Sequence, residues 1–206
     1  MGGRSLDREI ASLAVPAALA LATDPLYDLC DTAIIGHVGT AQLAGAAVAV
    51  RLLAFGYAAF VFLLFGTTAA VARHRGAGED REAVEQAVSA VWLSLAIGAV
   101  TALVFAVAGR PLISAMGARG AVAGHAWTYL SVSLAGMPAF TTVMAGVGFL
   151  RGGGDARTPL FVSIATVSLN LVLEIALVFG AGYGVGASAF GTVVAKWVGA
   201  AVYVTI

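Results

Sequence analysis

The sequence predicts an all-α, polytopic membrane protein. Of its 206 residues, 60% are hydrophobic and only 11% are charged, and the mean hydropathy is +0.96. Soluble domains carry about 25% charged residues, so this chain lacks the polar residues that a water-facing surface needs. Its apolar runs are continuous, whereas the strands of a membrane barrel alternate over about 10 residues. Helices that cross a bilayer therefore explain the composition best.

Six apolar runs are each long enough to cross about 30 Å of hydrocarbon. They cover residues 10–36, 43–72, 83–108, 121–150, 159–180 and 185–206 approximately. The segments between them are polar or rich in glycine. The last run has no basic flank or tail after it, so we expect the chain to be the front part of a longer protein.

The arginines of the loops predict the orientation of these spans. With a cytoplasmic N-terminus, the outer face carries only Arg110 and Arg119, and seven arginines lie inside. Such a bias follows the positive-inside rule. Both termini are then cytoplasmic, and we expect the protein in the plasma membrane. The seven inner arginines are Arg4, Arg8, Arg73, Arg75, Arg81, Arg151 and Arg157.

The same composition excludes other classes of function. Equal numbers of basic and acidic residues argue against nucleic-acid binding. Cys30 is the only cysteine, which excludes an internal disulfide and a cysteine-based metal site. The three histidines are isolated, and no nucleophile–base arrangement indicates an enzyme. We therefore predict no enzymatic activity and no cofactor.

Charged residues inside the apolar runs are the candidate functional residues, because each costs about 2.5–3.5 kcal/mol near the bilayer centre. The first run contains Asp24, Asp28 and Asp31, spaced so that all three share one helical face. Carboxylates this close disfavour simultaneous ionisation, so the face could hold protons or a cation. The alternative is that Asp24 or Asp28 is simply ionised in a wet vestibule. Pro16 predicts a kink in the same helix. By helical spacing Pro16 and Asp31 could face the same side, and the alternative is that the kink is a purely static feature.

A second polar pair lies in the fifth run. Asn170 and Glu174 are one helical turn apart and could jointly bind a proton or a hard cation through oxygen atoms. A plain interhelical hydrogen bond is the alternative. Arg51 and Lys196 are interpreted as structural, each neutralising a carboxylate or extending to the membrane surface. The glycine-rich segment Arg151–Asp155 predicts a tight turn and lacks the residues of a nucleotide loop.

Several segments resemble the MATE (multidrug and toxic compound extrusion) transporters, in particular the DinF-like branch. The first two motifs that carry the resemblance are Asp31–Gly39 and Phe149–Pro159. Asn170–Glu174 and the passage Val178–Ala195 extend it over nearly the whole chain. The resemblance implies twelve helices in two six-helix lobes around a cavity that opens alternately to either side of the membrane. This chain is similar to the amino-terminal lobe, so a carboxy-terminal lobe is an implied partner.

The resemblance also implies antiport, in which H⁺ or Na⁺ enters while a cationic or amphipathic organic compound leaves. It assigns coupling to Asp31 and kinking to Pro16. It assigns the rest of the cation site to four residues: Tyr129, Asn170, Glu174 and Thr192. The family usually has Asp where this chain has Glu174, and Asp24 and Asp28 have no counterpart among the family's ion-site residues.

Two other functions fit parts of the sequence. A lipid-linked oligosaccharide flippase of the same superfamily needs a larger and more cationic cavity than Arg51 and Lys196 supply. The second alternative is a scaffold subunit that does not transport. Such a subunit would not need buried carboxylates at helical spacing.

Overall fold

The computed structural model describes residues 25–58, 60–180 and 182–206, and this part of the chain is helical with no strand. Most of the first predicted span, including Pro16 and Asp24, lies outside the described residues. The first described helix, α1, covers residues 25–38. The helices that follow are α2 (Thr40–Ala58), α3 (Val61–Gly76), α4 (Asp80–Ala115), α5 (Gly120–Leu134), α6 (Met137–Gly152), α7 (Arg157–Ile175) and α8 (Gly184–Thr205). A π-helical turn, Ala176–Gly180, continues α7.

The prediction of a multi-pass membrane protein is confirmed. Within the described ranges, four helical segments are long and apolar enough to cross a bilayer: Thr40–Gly76, Asp80–Ala115, Arg157–Gly180 and Gly184–Thr205. The pair α5 and α6 makes a fifth when it is counted as one span, bent by 52°. These five segments correspond to the last five predicted runs.

Two of the spans are broken, which the hydropathy pattern does not reveal. The 43–72 run contains a turn at Phe60, and the 121–150 run contains one at Ala135–Gly136. The broken spans lie side by side and parallel, with α2 against α5 and α3 against α6. The rings of Tyr57 and Phe140, each close to one break, stack with centroids 3.9 Å apart. The Trp197 indole donates to the Ala135 carbonyl (2.9 Å), so this carbonyl is satisfied where the helix stops.

Glycine allows the remaining helices to pack closely. A Cβ added to Gly98 of α4 would lie 2.5 Å from Pro138 Cα, and one added to Gly146 of α6 would lie 2.5 Å from Tyr203 Cβ. Helices in membranes associate through such small residues because lipid provides no hydrophobic drive between them. The outer faces carry exposed apolar side chains, among them Trp92 and Val107 of α4. We infer that lipid covers these faces.

The glycine-rich segment forms the predicted turn before α7. Gly154 has a φ of +84°, which favours glycine. The Asp155 carboxylate then accepts hydrogen bonds from the backbone N–H groups of Arg157 and Thr158 (2.9 and 3.0 Å) and from the Thr158 hydroxyl. These bonds satisfy donors that the first turn of a helix leaves without partners. They also lower the pKa of Asp155, chiefly through Thr158.

Gly98→Ala is expected to lower the apparent melting temperature of the purified protein, because the new methyl group overlaps the Pro138 backbone. Overpacking of this kind costs about 1–3 kcal/mol. Gly66→Ala is the matched control, since a Cβ at Gly66 meets nothing within 4 Å. Equal melting temperatures for the two variants would contradict the close packing of α4 on α6.

Asp155→Ala is expected to destabilise the protein by about 1 kcal/mol, the usual cost of a lost helix cap. Since the folded pKa is below the usual value of 3.8, the contribution of the charge is present above that pH. It is lost as pH falls through the folded pKa. Asp155→Asn keeps an acceptor but does not titrate. Melting curves of the three proteins between neutral and strongly acidic pH test this, and a wild-type advantage over Asp155→Ala that grows on acidification would contradict it.

Candidate functional site

A cavity of about 600 Å³ opens between α1, α2, α5, α6 and α8, next to the two helix breaks. Its lining includes Tyr57, Gly136 and Phe140 from the broken spans. Four charged side chains line it as well: Asp28 and Asp31 from α1, Arg51 from α2 and Lys196 from α8. The cavity wall therefore contains two acids and two bases among the described residues. All four come from apolar segments, where burying a charged side chain costs free energy, so they are candidate functional residues.

Asp31 is buried at the edge of this cavity and is tied to α8. The Ser188 hydroxyl donates to its Oδ1 at 2.7 Å. The Tyr27 hydroxyl lies 3.4 Å from the same oxygen and 3.2 Å from Thr192 Oγ1. These contacts fix the position of α1 relative to α8 through polar side chains.

Asn170 and Glu174 lie on the buried face of α7, as their spacing predicts. Asn170 donates through Nδ2 to Thr192 Oγ1 at 3.1 Å. Glu174 has no exposed surface and lies beside Asp31 and Ser188. The structure thus brings together residues from α1, α7 and α8 that are far apart in the sequence.

Three oxygens in this group have no hydrogen-bond donor. They are Asn170 Oδ1 and both carboxylate oxygens of Glu174, and all three are buried. Burial of polar oxygens without partners is costly, and burial of a lone carboxylate costs more. Glu174 approaches Asp31 without hydrogen-bond geometry. Two acids and one amide oxygen therefore face a place where a positive ion or a proton would be stabilised.

Tyr129 and Thr192, which the family resemblance assigns to the cation site, lie close to the same group of side chains. Tyr129 is 5% exposed, lines the cavity and is within electrostatic range of Asp31 and Glu174. Thr192 contacts both Tyr27 and Asn170. In the described part of the chain, no three His, Cys, Asp or Glu side chains form a cluster that could hold a metal ion.

Sequence reasoning missed two members of the group, Tyr27 and Ser188. Tyr27 lies one turn before Asp31 on α1, and Ser188 lies one turn before Thr192 on α8. A search for polar residues one helical turn from each candidate would have found both. Asp28 lines the same cavity, but its side chain is exposed whereas that of Asp31 is buried.

Comparison with known proteins gives a consistent result. The MatE family profile matches residues 16–176. The chain is 32% identical over 203 residues to protein DETOXIFICATION 44, chloroplastic, of Arabidopsis thaliana, with 92% of this chain and 39% of that protein covered. It is 30% identical over 194 residues to DNA damage-inducible protein F of Escherichia coli, with 94% and 42% covered.

A solved structure has the same fold. It is the outward-facing conformation of a multidrug resistance MATE family transporter of the MOP superfamily, which superposes with a TM-score of 0.87 at 29% identity. The superposition covers 94% of this chain and 43% of the other. The chain therefore spans about two fifths of the length of the proteins it matches.

Proposed function

Because the chain belongs to the MatE family, as its motifs predict, we propose that it is the amino-terminal lobe of a cation-coupled antiporter. In this proposal the protein exports drugs or toxic organic compounds across the plasma membrane by alternating access. A carboxy-terminal lobe completes the transporter. The name of the matched structure, a multidrug resistance transporter, supports the choice of cargo.

The observation that carries the proposal is the buried, donor-free carboxylate of Glu174 next to Asp31. Two carboxylates in a dry interior repel each other and lose their hydration. A proton shared by the pair removes the repulsion, and a Na⁺ bound by the pair lowers both costs. Asn170 Oδ1 is a third oxygen ligand without a competing donor, and Tyr129 and Thr192 complete the proposed site. Hard cations prefer oxygen ligands of these types.

Coupling follows from the contacts of Asp31. When an ion binds, it competes with the Ser188 hydroxyl and the Tyr27 hydroxyl for the Asp31 carboxylate. This competition changes how α1 is held against α8, and α1 forms part of the cavity wall. The bend that the sequence predicts at Pro16 and the negative charge of Asp24 are part of the proposal but lie outside the described residues, and Asp28 adds negative charge on α1. Ion and drug must prefer different shapes of the cavity, since equal preference would shift nothing.

The proposed orientation rests on the arginines at one end of the bundle. Arg75 is in the last turn of α3, beside the turn that follows α6. Its guanidinium lies 3.0 Å from the position that a Cβ on Gly153 would take. Arg151 and Arg157 flank the same turn. The positive-inside rule supports the proposal that this end, and both termini, face the cytoplasm. One relative is named as chloroplastic, so immunolocalisation of the tagged protein is the check on the plasma membrane.

The cavity does not favour the flippase alternative. A pyrophosphate needs a surplus of positive charge, whereas Asp28 and Asp31 balance Arg51 and Lys196 in number. The buried carboxylate pair also has no role in a scaffold subunit.

Asp31→Asn is expected to abolish efflux driven by an ion gradient, because the amide keeps the volume but has no negative charge to hold a cation and takes up no proton. Drug accumulation in cells that express the full-length protein, with and without an ionophore, measures this. Asp80→Asn, at the exposed start of α4, is the control and should retain ionophore-sensitive efflux. Retained efflux in Asp31→Asn would remove Asp31 from the mechanism.

Glu174→Gln is expected to remove stabilisation by the coupling ion. If the ion is Na⁺, the apparent melting temperature of the wild type rises with NaCl but not with choline chloride at constant ionic strength. Occupancy at 100 times Kd is worth about 2.7 kcal/mol, and the variant should show no such rise. A wild type that ignores Na⁺ but whose efflux follows the proton gradient indicates H⁺. Efflux that depends on neither gradient contradicts the proposal.

A further inference from the structure

A second cavity, which we call the α8 groove, lies at the end of the bundle opposite to the turn after α6. Its volume is about 650 Å³. Among the described residues, none lines both this groove and the cavity that contains Asp31. Two residues along a helix correspond to a rotation of about 200°, so Phe190 in the groove and Thr192 in the other cavity lie on nearly opposite sides of α8. Residues that line the groove include His125, Thr128 and Val132 of α5, Tyr183 directly before α8, and Ala187 and Phe190 of α8.

The α8 groove opens onto an apolar face of the span. Phe190, Trp197 and Val204 follow one another at intervals of seven residues, so they lie on one side of α8. All three are exposed. Exposed apolar surface of this kind marks contact with a membrane or a partner. The side of α8 that carries the groove therefore continues as a strip that suits acyl chains.

Polar and apolar groups are separated along the groove. Gln42 and His125 lie in the first two turns of α2 and α5, and Tyr183 directly precedes α8. Val132 and Phe190 lie about 10 Å further along α5 and α8, at a rise of about 1.5 Å per residue. The groove is thus polar where the helices begin and apolar towards the middle of the membrane. A ligand with a polar head and a long apolar chain matches this order.

The same end of the bundle is positively charged. It carries Arg110 and Arg119, and the described segments that meet there contain no Asp or Glu. Arg119 directly precedes α5, is exposed and has no ion pair within the described ranges. A negatively charged head group is therefore favoured at the polar end of the groove. The segments that meet at this end are residues 36–45, 108–125, 176–180 and 182–187.

We propose that the α8 groove binds one phospholipid molecule of the surrounding membrane. The phosphate lies at Arg119, and one acyl chain lies along Val132 and Phe190. Gln42 accepts the Val185 N–H through Oε1 (2.7 Å), which leaves its amide N–H groups to donate to the ester oxygens of the lipid. This site goes beyond the proposed function, because lipid binding does not require transport.

Filling the groove tests the proposal. Thr128→Trp places a large ring in the groove, and the lost hydroxyl bonds only to Gly124 of its own helix. Ser131→Trp is the matched control, since Ser131 lies on the same helix, bonds only to Thr128 and does not line the groove. Native mass spectrometry of the full-length protein, titrated with phosphatidylglycerol, measures the Kd of the tightest bound lipid. We expect Thr128→Trp to abolish this binding and Ser131→Trp to retain it.

A second pair of variants tests the head group without changing the packing. Arg119→Gln should raise the Kd by about tenfold or more, the usual effect of a lost charged hydrogen bond. Arg81→Gln, whose ion pair with Glu85 is on the surface, should leave the Kd unchanged. This pair decides the question if Thr128→Trp does not melt as the wild type does.

Three results would overturn the lipid site. The first is equal lipid affinity in Thr128→Trp and Ser131→Trp, which indicates that another part of the full-length protein covers the groove. The second is equal affinity in Arg119→Gln and Arg81→Gln. The third is displacement of the lipid by inorganic phosphate at the same concentration, because the acyl chain would then contribute nothing. None of these results bears on antiport, which Asp31→Asn tests separately.

Discussion

The close approach of two buried acids is the constraint on which the arrangement of the helices around them depends. Asp31 comes from α1 and Glu174 from α7, and α8 supplies the hydroxyls of Ser188 and Thr192 around them. Gly191 of α8 allows this approach, since a Cβ there would lie 3.0 Å from Asn170 Oδ1. Three helices are thus packed closely around oxygens that lack donors. Burial of polar oxygens without donors is costly, and the proposed coupling ion or proton would lower that cost.

The broken helices explain why the cavity lies where it does. A break in lipid exposes backbone groups that nothing satisfies, so breaks are tolerated only where they are buried in protein or line a cavity. The turns at Phe60 and Gly136 lie in neighbouring spans, and Tyr57, Gly136 and Phe140 all line the cavity. Trp197 of α8 supplies the missing donor at Ala135. The same breaks that bend the spans therefore make room for a ligand and bring aromatic rings to its wall.

Hydropathy was sufficient to predict the described spans but not their breaks. The turn at Phe60 lies in a run without proline, where nothing in the pattern differs from a continuous helix. The other break has Gly136 and Pro138 as a readable signal. In the site, Asp31, Asn170 and Glu174 were predictable because polar residues are rare in apolar runs. Tyr129 and Thr192 came only from family resemblance, since tyrosine and threonine are common in membrane helices. Ser188 was missed because serine, too, is common in membrane helices.

The distribution of charge gives the proposed coupling a physical basis beyond shape. The acids that lie near the proposed ion site are on α1 and α7, whereas the bases of the cavity are on α2 and α8. With Asp31 ionised the cavity lining is balanced, and with a cation bound there it becomes positive by one unit. A unit charge about 10 Å away changes the energy of a charged substrate by about 1–2 kcal/mol at an effective dielectric constant near 20. That is about tenfold in affinity, so movement of α1 needs to supply only the remainder of the coupling between ion and substrate.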